Sequence, residues 1–240
     1  MRYLIGIDDT DNLETRGTGH RVRQLAQFLN GLAAPLAITR HQLLVVPEIP
    51  FTSHNSSACL VVEAEPAKEN EIWQASREFL LKESAPGSDA GLCLADWNCV
   101  TPCIRAFGVR AKQVVLTQFE AEQTAIQDCV RLEGLTGTGG GIIGALAAVG
   151  LHHAGNDGRF LWLPGLRDLK GRYPARELCT LGHIAAVQTI SGDTLPPQTL
   201  VDVGEWVRPI LRGGQAILLV EEKNNEWYIL AKDQIKRISD

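Results

Sequence analysis

The apolar positions of this chain follow two different periods. Short apolar runs of strand length occupy residues 4–7 and 58–63, whereas apolar side chains recur at helical spacing over residues 20–32 and 69–82. Strands and amphipathic helices therefore alternate in the first two thirds of the sequence. This pattern predicts an α/β domain, in which a mixed sheet carries packed helices.

Other segments of this region carry weaker signals. Short runs predict strands over residues 36–39, 43–46, 90–95 and 113–117, and a longer amphipathic pattern predicts a helix over residues 121–132. Residues 99–109 form a turn-rich stretch whose secondary structure the pattern leaves open.

The pattern changes after His153. Prolines and glycines become frequent up to residue 198, and short strands then recur, separated by the turn signals Gly213-Gly214 and Asn224-Asn225. We therefore expect two domains, a catalytic α/β domain at residues 1–160 and a small β-rich C-terminal module at residues 161–240.

The most unusual feature is an acidic turn at the end of the first apolar run. Asp8, Asp9 and Asp11 place three carboxylates within four residues. Such carboxylates repel one another unless a cation lies between them, and oxygen-rich sites suit Mg²⁺, which commonly bridges carboxylate and substrate phosphate. An acidic turn without a ligand remains the alternative, because Asp also favours turns and helix N-termini.

A glycine- and threonine-containing loop follows the acidic turn and leads into a helix. Free backbone amides at a helix N-terminus attract anions, and Arg16, Thr18 and His20 stand beside this one. A polar segment at His54 and Asn55 precedes the strand at residues 58–63 and offers a second set of ligand contacts. Both segments are equally compatible with simple connecting loops.

A second glycine-rich stretch covers residues 134–150. Its glycines and Thr138 precede a helix of small residues, so bare amides at Gly137, Gly139, Gly140 and Gly141 are candidates for phosphate contacts. It is not a P-loop, because no Gly-Lys-Ser/Thr follows. We also exclude a dinucleotide fingerprint, because the pattern predicts a helix rather than a strand before it. Tight helix packing also explains the small residues, and it is compatible with the phosphate role, which we favour.

Charge and cysteine content limit the possible functions. The net charge of −5 gives no broad basic field, so autonomous binding to nucleic acid is not favoured. No segment approaches the roughly 20 apolar residues of a membrane helix, and the chain enters a strand at residue 3 without a signal peptide. Six scattered cysteines without a CxxC pair indicate reduced thiols and no structural zinc. A cytoplasmic protein is expected.

Four motifs in order resemble the archaeal tRNA-isoleucine agmatinylcytidine synthetase family. They are Gly-Ile-Asp-Asp-Thr-Asp at residues 6–11, the Pro-x-Ile-Pro-aromatic segment at 47–51 with Asn55, Asp-x-Gly-Leu at 89–92, and the Gly-x-Gly-x-Gly-Ile-Ile-Gly-Ala-Leu-Ala-Ala helix entry at 137–148. The resemblance covers about residues 1–160.

The resemblance implies a kinase-like domain that binds ATP and Mg²⁺ and cleaves the triphosphate. The family's catalytic aspartates correspond to Asp8, Asp9 and Asp11, which are also the implied metal ligands. Nucleotide-binding positions are implied at Thr10, at Asn55 and along the glycine loop, residues 137–141. Thr18 or His20 stands where the family has paired threonines, one of which takes phosphate from ATP.

Two departures from the family restrict what is carried over. The loop after the acidic turn has one threonine and a histidine. The chain also lacks zinc-ribbon cysteines and has too few residues for both a zinc ribbon and the family's oligonucleotide-binding barrel. The expected function is therefore Mg-dependent ATP cleavage, kinase-like or ligase-like, with transfer of a phosphoryl or adenylyl group to an unknown acceptor. tRNA is a candidate partner but is not favoured, and the oligomeric state is open.

Two other functions compete with this one. A haloacid-dehalogenase-type phosphatase also places Asp-x-Asp after a strand, but Leu13 stands where that family has Thr. A nucleotide-sensing or tRNA-binding accessory protein would use the same cavity without turnover.

Overall fold

The first strand, β1 (Arg2–Asp8), lies at the centre of an antiparallel sheet in the N-terminal part of the chain. The structure, a computed structural model, describes residues 1–49, 51–52, 54–128 and 130–240. Pro50 of the proline motif and Cys129 therefore lie outside the described residues. Contacts divide the chain into two compact units, Met1–Ala154 and Gly155–Asp240.

The N-terminal unit combines five strands of one sheet with five α-helices among its described residues. In chain order these elements are β1, α1 (Thr18–Phe28), β2 (Ala34–Gln42), β3 (Ser56–Glu63), α2 (Glu69–Glu83), β4 (Gly91–Asp96), α3 (Pro102–Arg110), α4 (Gln118–Gln127), β5 (Arg131–Gly134) and α5 (Ile142–Ala154). The strand order is β5-β4-β1-β3-β2, and every neighbouring pair is antiparallel.

The packing of α5 on β1 explains the small residues of that helix. Tyr3, Leu4, Ile5 and Ile7 of β1 have no exposed surface, so the strand is covered on both faces rather than half-exposed. A Cβ atom at Gly6 would lie 1.9 Å from the carbonyl oxygen of Ala145, so only glycine permits this approach. Close backbone packing therefore places the start of α5 beside the end of β1.

Three local predictions in this unit are wrong. Residues 43–46 and 113–117 are not strands, and the helix predicted over 121–132 ends at Gln127, before β5. Residues 99–109, whose structure the sequence leaves open, contain most of α3. The amides of Leu43 and Leu44 donate to loop carbonyls rather than to a neighbouring strand. Thr117 forms a capping box with Glu120, which starts α4 earlier than the apolar pattern indicates.

The C-terminal unit is rich in strands. Its elements are β6 (Arg159–Trp162), β7 (Arg172–Pro174), α6 (Ala175–Leu181), β8 (Ala186–Thr189), β9 (Leu200–Asp202), β10 (Ile210–Arg212), β11 (Gln215–Lys223), β12 (Glu226–Ile229) and α7 (Lys232–Ser239). Along the sheet they run β6-β10-β11-β12-β9-β7, and β8 pairs with β11 in parallel.

Both predicted turns of this unit are confirmed. Gly213 and Gly214 join β10 to β11, and Asn224 and Asn225 join β11 to β12, all with positive φ angles that suit tight hairpins. The predicted fold class, an α+β domain followed by a β-rich part, is also confirmed. Among the described residues, every helix is too short or too polar to cross a bilayer.

Candidate functional site

The acidic turn and the glycine loop border one cavity in the N-terminal unit. Its volume is about 250 Å³. Its polar wall comes from the end of β1, the start of α1, the segment before β3, the approach to β4 and the entry to α5. The lining side chains and backbone include Asp8, Asp9, Asp11, Thr18, Glu48, Thr52, His54, Asn55, Asp89, Thr138, Gly140, Gly141 and Gly144.

The two predicted segments meet at Asp8 and α5. A Cβ atom at Gly144 would lie 1.7 Å from Oδ2 of Asp8, so the carboxylate occupies the space that a side chain would fill. A Cβ atom at Gly141 would lie 2.5 Å from the carbonyl oxygen of Asp89 and 3.0 Å from that of Asp8. Glycine at these two positions therefore allows α5 to begin directly against the acidic turn.

Burial and mutual repulsion make the carboxylates of Asp8 and Asp9 unusually weak acids. Burial first, and then the charge of Asp9, raise the pKa of Asp8 to about 7. Burial, followed by the charges of Asp89 and Asp11, raises the pKa of Asp9 to about 6. Asp9 also has a φ angle of 51°, in the left-handed region, as is common for strained residues at functional sites. This end of the cavity favours a proton or a cation.

Asp11 plays a different structural role, because hydrogen bonds occupy both of its oxygens. Oδ1 accepts from the backbone amide of Thr18 at 3.0 Å and from its hydroxyl at 2.9 Å, while Oδ2 accepts from the hydroxyl of Thr52 at 2.8 Å. The Thr18 hydroxyl in turn accepts from the amide and hydroxyl of Thr10. Asp11 therefore fixes the start of α1 and orients the Thr18 hydroxyl.

Most amides of the glycine loop already donate within the protein. The amide of Thr138 donates to Oδ1 of Asp89, and that of Gly141 donates to the Asp89 carbonyl at 2.9 Å. The amides of Gly139, Ile142 and Ile143 donate to carbonyls of the same loop. Within the described part of the chain, the amide of Gly140, which lines the cavity, has no acceptor. It is the loop donor best placed for a ligand oxygen.

The element before the glycine loop differs from the sequence expectation. A strand, β5, precedes the loop, where a helix was predicted. The exclusion of a dinucleotide fingerprint therefore needs another basis. β5 pairs antiparallel with β4, whereas a dinucleotide-binding unit needs parallel strands joined through the helix. The antiparallel pairing of β4 and β5 therefore still excludes a dinucleotide fingerprint.

Several predicted site residues lie behind the cavity wall. Thr10 is 1% exposed, and its hydroxyl donates a hydrogen bond to the Thr18 hydroxyl. Gly137 and Gly139 shape the loop with φ angles of 55° and 76°. His20 is outside the lining, and its Nδ1 lies 3.5 Å from the guanidinium of Arg23. Burial and then the nearby arginines, Arg23 first, lower the pKa of His20.

The segment before β3, for which the sequence leaves a ligand contact and a simple turn equally open, borders the cavity. His54 and Asn55 both belong to the lining. The Asn55 side-chain amide donates to the Leu44 carbonyl at 2.6 Å, and the Asn55 carbonyl accepts from the amide of Leu43 at 2.9 Å. Asn55 therefore holds the segment at residues 43–44 against the cavity.

Other lining residues were not proposed as site residues from the sequence. Asp89 and Thr52 contact the acidic turn or the glycine loop, and Glu48 adds a carboxylate. Apolar residues also line the cavity, among them Leu43, Ile49, Phe51, Val114, Val115 and Leu116. The Asp89 motif was visible in the sequence, but no local pattern connects Thr52 with Asp11, 41 positions earlier.

The donor set fits a magnesium ion that is shared with a phosphate ligand. Among the described residues, no group of three His, Cys, Asp or Glu side chains is arranged to hold a metal ion by itself. Of the three predicted ligands, Asp11 already accepts hydrogen bonds from Thr18 and Thr52, so Asp8 and Asp9 are the stronger candidates. One or two carboxylates, completed by phosphate oxygens and waters, are the usual protein environment of Mg²⁺.

Comparison with protein families and curated proteins gives no match. No family model matches this chain. No curated protein matches it either.

Solved structures do match, over 62% of this chain. A complex of TiaS with an isoleucine tRNA and ATP is 26% identical with a TM-score of 0.55, and a tRNA fluorescent labelling enzyme gives the same values. A complex of TiaS with the same tRNA, AMPCPP and agmatine is 25% identical with a TM-score of 0.54. The match covers 36% of each of those chains, so this protein corresponds to about a third of their length. The chain is similar in fold to part of enzymes that act on tRNA, among them TiaS bound to ATP.

Proposed function

We propose that this protein binds ATP with Mg²⁺ in the cavity and cleaves it, transferring a phosphoryl or adenylyl group to an acceptor. The observation that carries the proposal is the contact between Asp8 and the start of α5. Gly144 gives the Asp8 carboxylate the space of a missing side chain, so acidic oxygens and the bare Gly140 amide border one cavity. Such a combination suits a metal-bound phosphate chain.

The charge of the cavity makes the proposed binding dependent on a cation. Among its described lining residues there is no Lys or Arg, while five carboxylates are present, those of Asp8, Asp9, Asp11, Glu48 and Asp89. A triphosphate alone would be repelled from such a wall. Mg²⁺ reverses the sign of the interaction, and we therefore expect no tight nucleotide binding without it.

Each residue of the site has a distinct proposed role. Asp8 and Asp9 would hold Mg²⁺, which when bound neutralises charge on the phosphate oxygens. Asp11 orients the Thr18 hydroxyl through a bond of 2.9 Å and is placed to take its proton. Thr18 is therefore a better candidate than His20 to accept a phosphoryl group. The Gly140 amide would donate to a phosphate oxygen.

The apolar part of the cavity lining suits the nucleobase. Phe51, Val114 and Val115 are 46%, 46% and 51% exposed, which is unusual for large apolar side chains that border a polar cavity. Stacking or edge contact with adenine would cover them.

The matched structures support this assignment. One of them contains ATP and another AMPCPP, both with an isoleucine tRNA, over a region in which 25–26% of residues are identical. They support ATP as the nucleotide and an enzyme related to tRNA modification. The acceptor is not inferred from the matched structures, because this chain corresponds to 36% of each of their chains.

Calorimetric titration tests the binding step. Wild-type protein should bind ATP in the presence of Mg²⁺ and lose at least about tenfold in affinity when the metal is removed or Asp8 is replaced by Ala. Absence of heat with wild-type protein, or equal affinity in the Asp8→Ala variant, would remove the proposal.

Product analysis tests turnover. Incubation with Mg-ATP, alone and with bulk tRNA, should give ADP for phosphoryl transfer or AMP for adenylyl transfer. Bound nucleotide without either product identifies the non-catalytic accessory function instead.

A further inference from the structure

Asp89 contacts the glycine loop through both its side chain and its backbone. Oδ1 accepts from the amide of Thr138, and the carbonyl accepts from the amide of Gly141 at 2.9 Å. These two donors lie on either side of Gly139 and Gly140. One residue therefore fixes both flanks of the loop segment that carries the Gly140 amide.

The approach of the loop to Asp89 requires glycine. A Cβ atom at Gly137 would lie 1.9 Å from Oδ1 of Asp89, and Gly137 also has a positive φ angle of 55°. Gly139 adopts a φ angle of 76°. Because L side chains rarely adopt this region, glycine at both positions permits the conformation that brings the loop amides to Asp89.

Asp89 is itself held in place by Thr136. The Thr136 hydroxyl donates to the Ser88 carbonyl at 2.7 Å and accepts from the amide of Ala90 at 2.8 Å, so it bridges the two neighbours of Asp89. Ser88 is 3% exposed and Ala90 is fully buried. The segment at residues 88–90 is therefore a rigid base on which the loop rests.

We propose that Asp89 is a positioning residue, which holds the glycine loop in the conformation that places Gly140 at the wall of the nucleotide cavity. Asp89 acts as an acceptor for the Thr138 amide and needs no contact with the nucleotide. An oxygen at this position, rather than a negative charge, is what the role requires. The consequence for nucleotide binding rests on the proposed function, whereas the ordering of the loop does not.

Three variants separate these roles. Asp89→Ala removes the acceptor, whereas Asp89→Asn keeps an oxygen in the same place. Asp96→Ala is the matched control, because Asp96 ends β4, which Asp89 precedes, and also accepts a backbone amide, that of Asn98. Folding of each variant is checked by its melting temperature.

Amide hydrogen exchange measures loop order without any nucleotide. In Asp89→Ala we expect peptides covering residues 137–141 to exchange at least about tenfold faster, because the Thr138 amide has lost its acceptor. Asp89→Asn and Asp96→Ala should leave this exchange within about threefold of wild type. Unchanged exchange in Asp89→Ala would overturn the proposal, whatever the nucleotide experiments give.

Nucleotide kinetics then test the consequence. KM for Mg-ATP should rise about tenfold in Asp89→Ala with a smaller change in kcat, and Asp89→Asn should restore KM to within about threefold. If Asn is as damaging as Ala, the charge of Asp89 matters and the positioning role is wrong. If wild-type protein binds no nucleotide, the proposed function fails, while the exchange result still decides the role of Asp89.

Discussion

The carboxylate of Asp8 lies where the side chain of residue 144 would be. A Cβ atom on Gly144 would stand 1.7 Å from Oδ2, 2.5 Å from Cγ and 2.9 Å from Cβ of Asp8. Oδ2 and Cγ can rotate away about the Cα–Cβ bond of Asp8, and only the contact with Cβ, at 2.9 Å, is fixed by the backbone. An added methyl group would therefore displace the carboxylate more than it disturbs the fold.

The Gly144→Ala variant should lose nucleotide binding while it keeps its stability. Alanine gains about 1 kcal/mol of helix propensity, which offsets part of an overpacking cost of about 1–3 kcal/mol. We expect the free energy of unfolding to change by less than about 2 kcal/mol, and the affinity for Mg-ATP to fall at least about tenfold. Denaturant unfolding and calorimetry measure the two quantities.

Gly150→Ala is the matched control on the same helix. A Cβ atom there would lie 2.2 Å from the backbone carbonyl oxygen of Ile104 in α3, which cannot rotate away. This variant should lose more stability than Gly144→Ala and retain nucleotide affinity at low temperature. The opposite ranking would contradict a specific link between Gly144 and Asp8.

The acidic turn should make the ligand-free protein less stable as pH rises. The pKa of Asp8 is about 7 in the folded protein and near its ordinary value of 3.8 when unfolded. Between these values the folded state binds more protons, so stability is fully present below about pH 4 and is lost as pH rises toward 7. Asp8→Asn removes this loss and should stabilise the ligand-free protein at pH 8 by about 1–2 kcal/mol, allowing for solvent screening.

Mg-nucleotide binding should show the opposite trend. A protonated carboxylate cannot hold the metal, so affinity for Mg-ATP should rise from about pH 5.5 to about pH 8 as Asp9 and Asp8 ionise. Titrations with Mg-ATP across this pH range measure the affinity, and unfolding experiments measure the stability. Asp96→Asn is the control for the stability measurement. Affinity independent of pH would separate these carboxylates from the metal.

The sequence predicted the parts of the site that are continuous along the chain. Three aspartates at a strand end and a run of glycines before a helix are local patterns, and both border the cavity. The bond between Thr52 and Asp11 was not predictable, because it joins a loop to a turn across the sheet. The bonds between Asp89 and residues 138 and 141 depend in the same way on the pairing of β4 with β5.

Element errors have equally specific causes. The helix at residues 121–132 was predicted too long, because apolar residues continue into β5 without a proline or glycine between them. The helix α3 was not predicted, although Pro102 follows an N-cap at Thr101, whose side chain accepts from the Cys103 amide. Apolar periodicity alone does not register such capping signals.

Substitution of Thr18 should distinguish it from His20 as the residue that accepts a phosphoryl group. Thr18→Val removes a hydroxyl that donates to Asp11 and accepts from Thr10, so ATP cleavage should fall at least about a hundredfold. Thr18→Ser keeps the hydroxyl and should retain activity within about tenfold, and His20→Ala should do the same. Phosphate on residue 20 in a mass-spectrometric peptide map, or full activity in Thr18→Val, would contradict this assignment.

A buried histidine should set the acid limit of the N-terminal unit. His152 is 6% exposed, and its Nδ1 lies 2.8 Å from the hydroxyl of Thr39, which also bonds to Nε2 of His41. Burial first, and then the positive charges that His41 and other neighbours carry when protonated, lower the pKa of His152 from 6.5 to about 3.

The sign of its effect on stability follows from proton binding. Between about pH 6.5 and about pH 3 the unfolded chain holds a proton on residue 152 that the folded state excludes, so stability falls as pH decreases through this window. The slope from this one group approaches about 1.4 kcal/mol per pH unit. Ionisation of Asp8 acts in the opposite direction over this range, so the test is the difference between variants: the stability of His152→Gln relative to wild type should rise as pH decreases from about pH 6 to about pH 4.5, even if it is lower at pH 7. The exposed His183, replaced by Asn to suit its φ angle of 51°, is the control and should leave the slope of the N-terminal transition unchanged. Fluorescence of the adjacent Trp97 follows the unfolding transition. If the free energy of unfolding has the same pH slope in wild type and in His152→Gln, this histidine is protonated without unfolding.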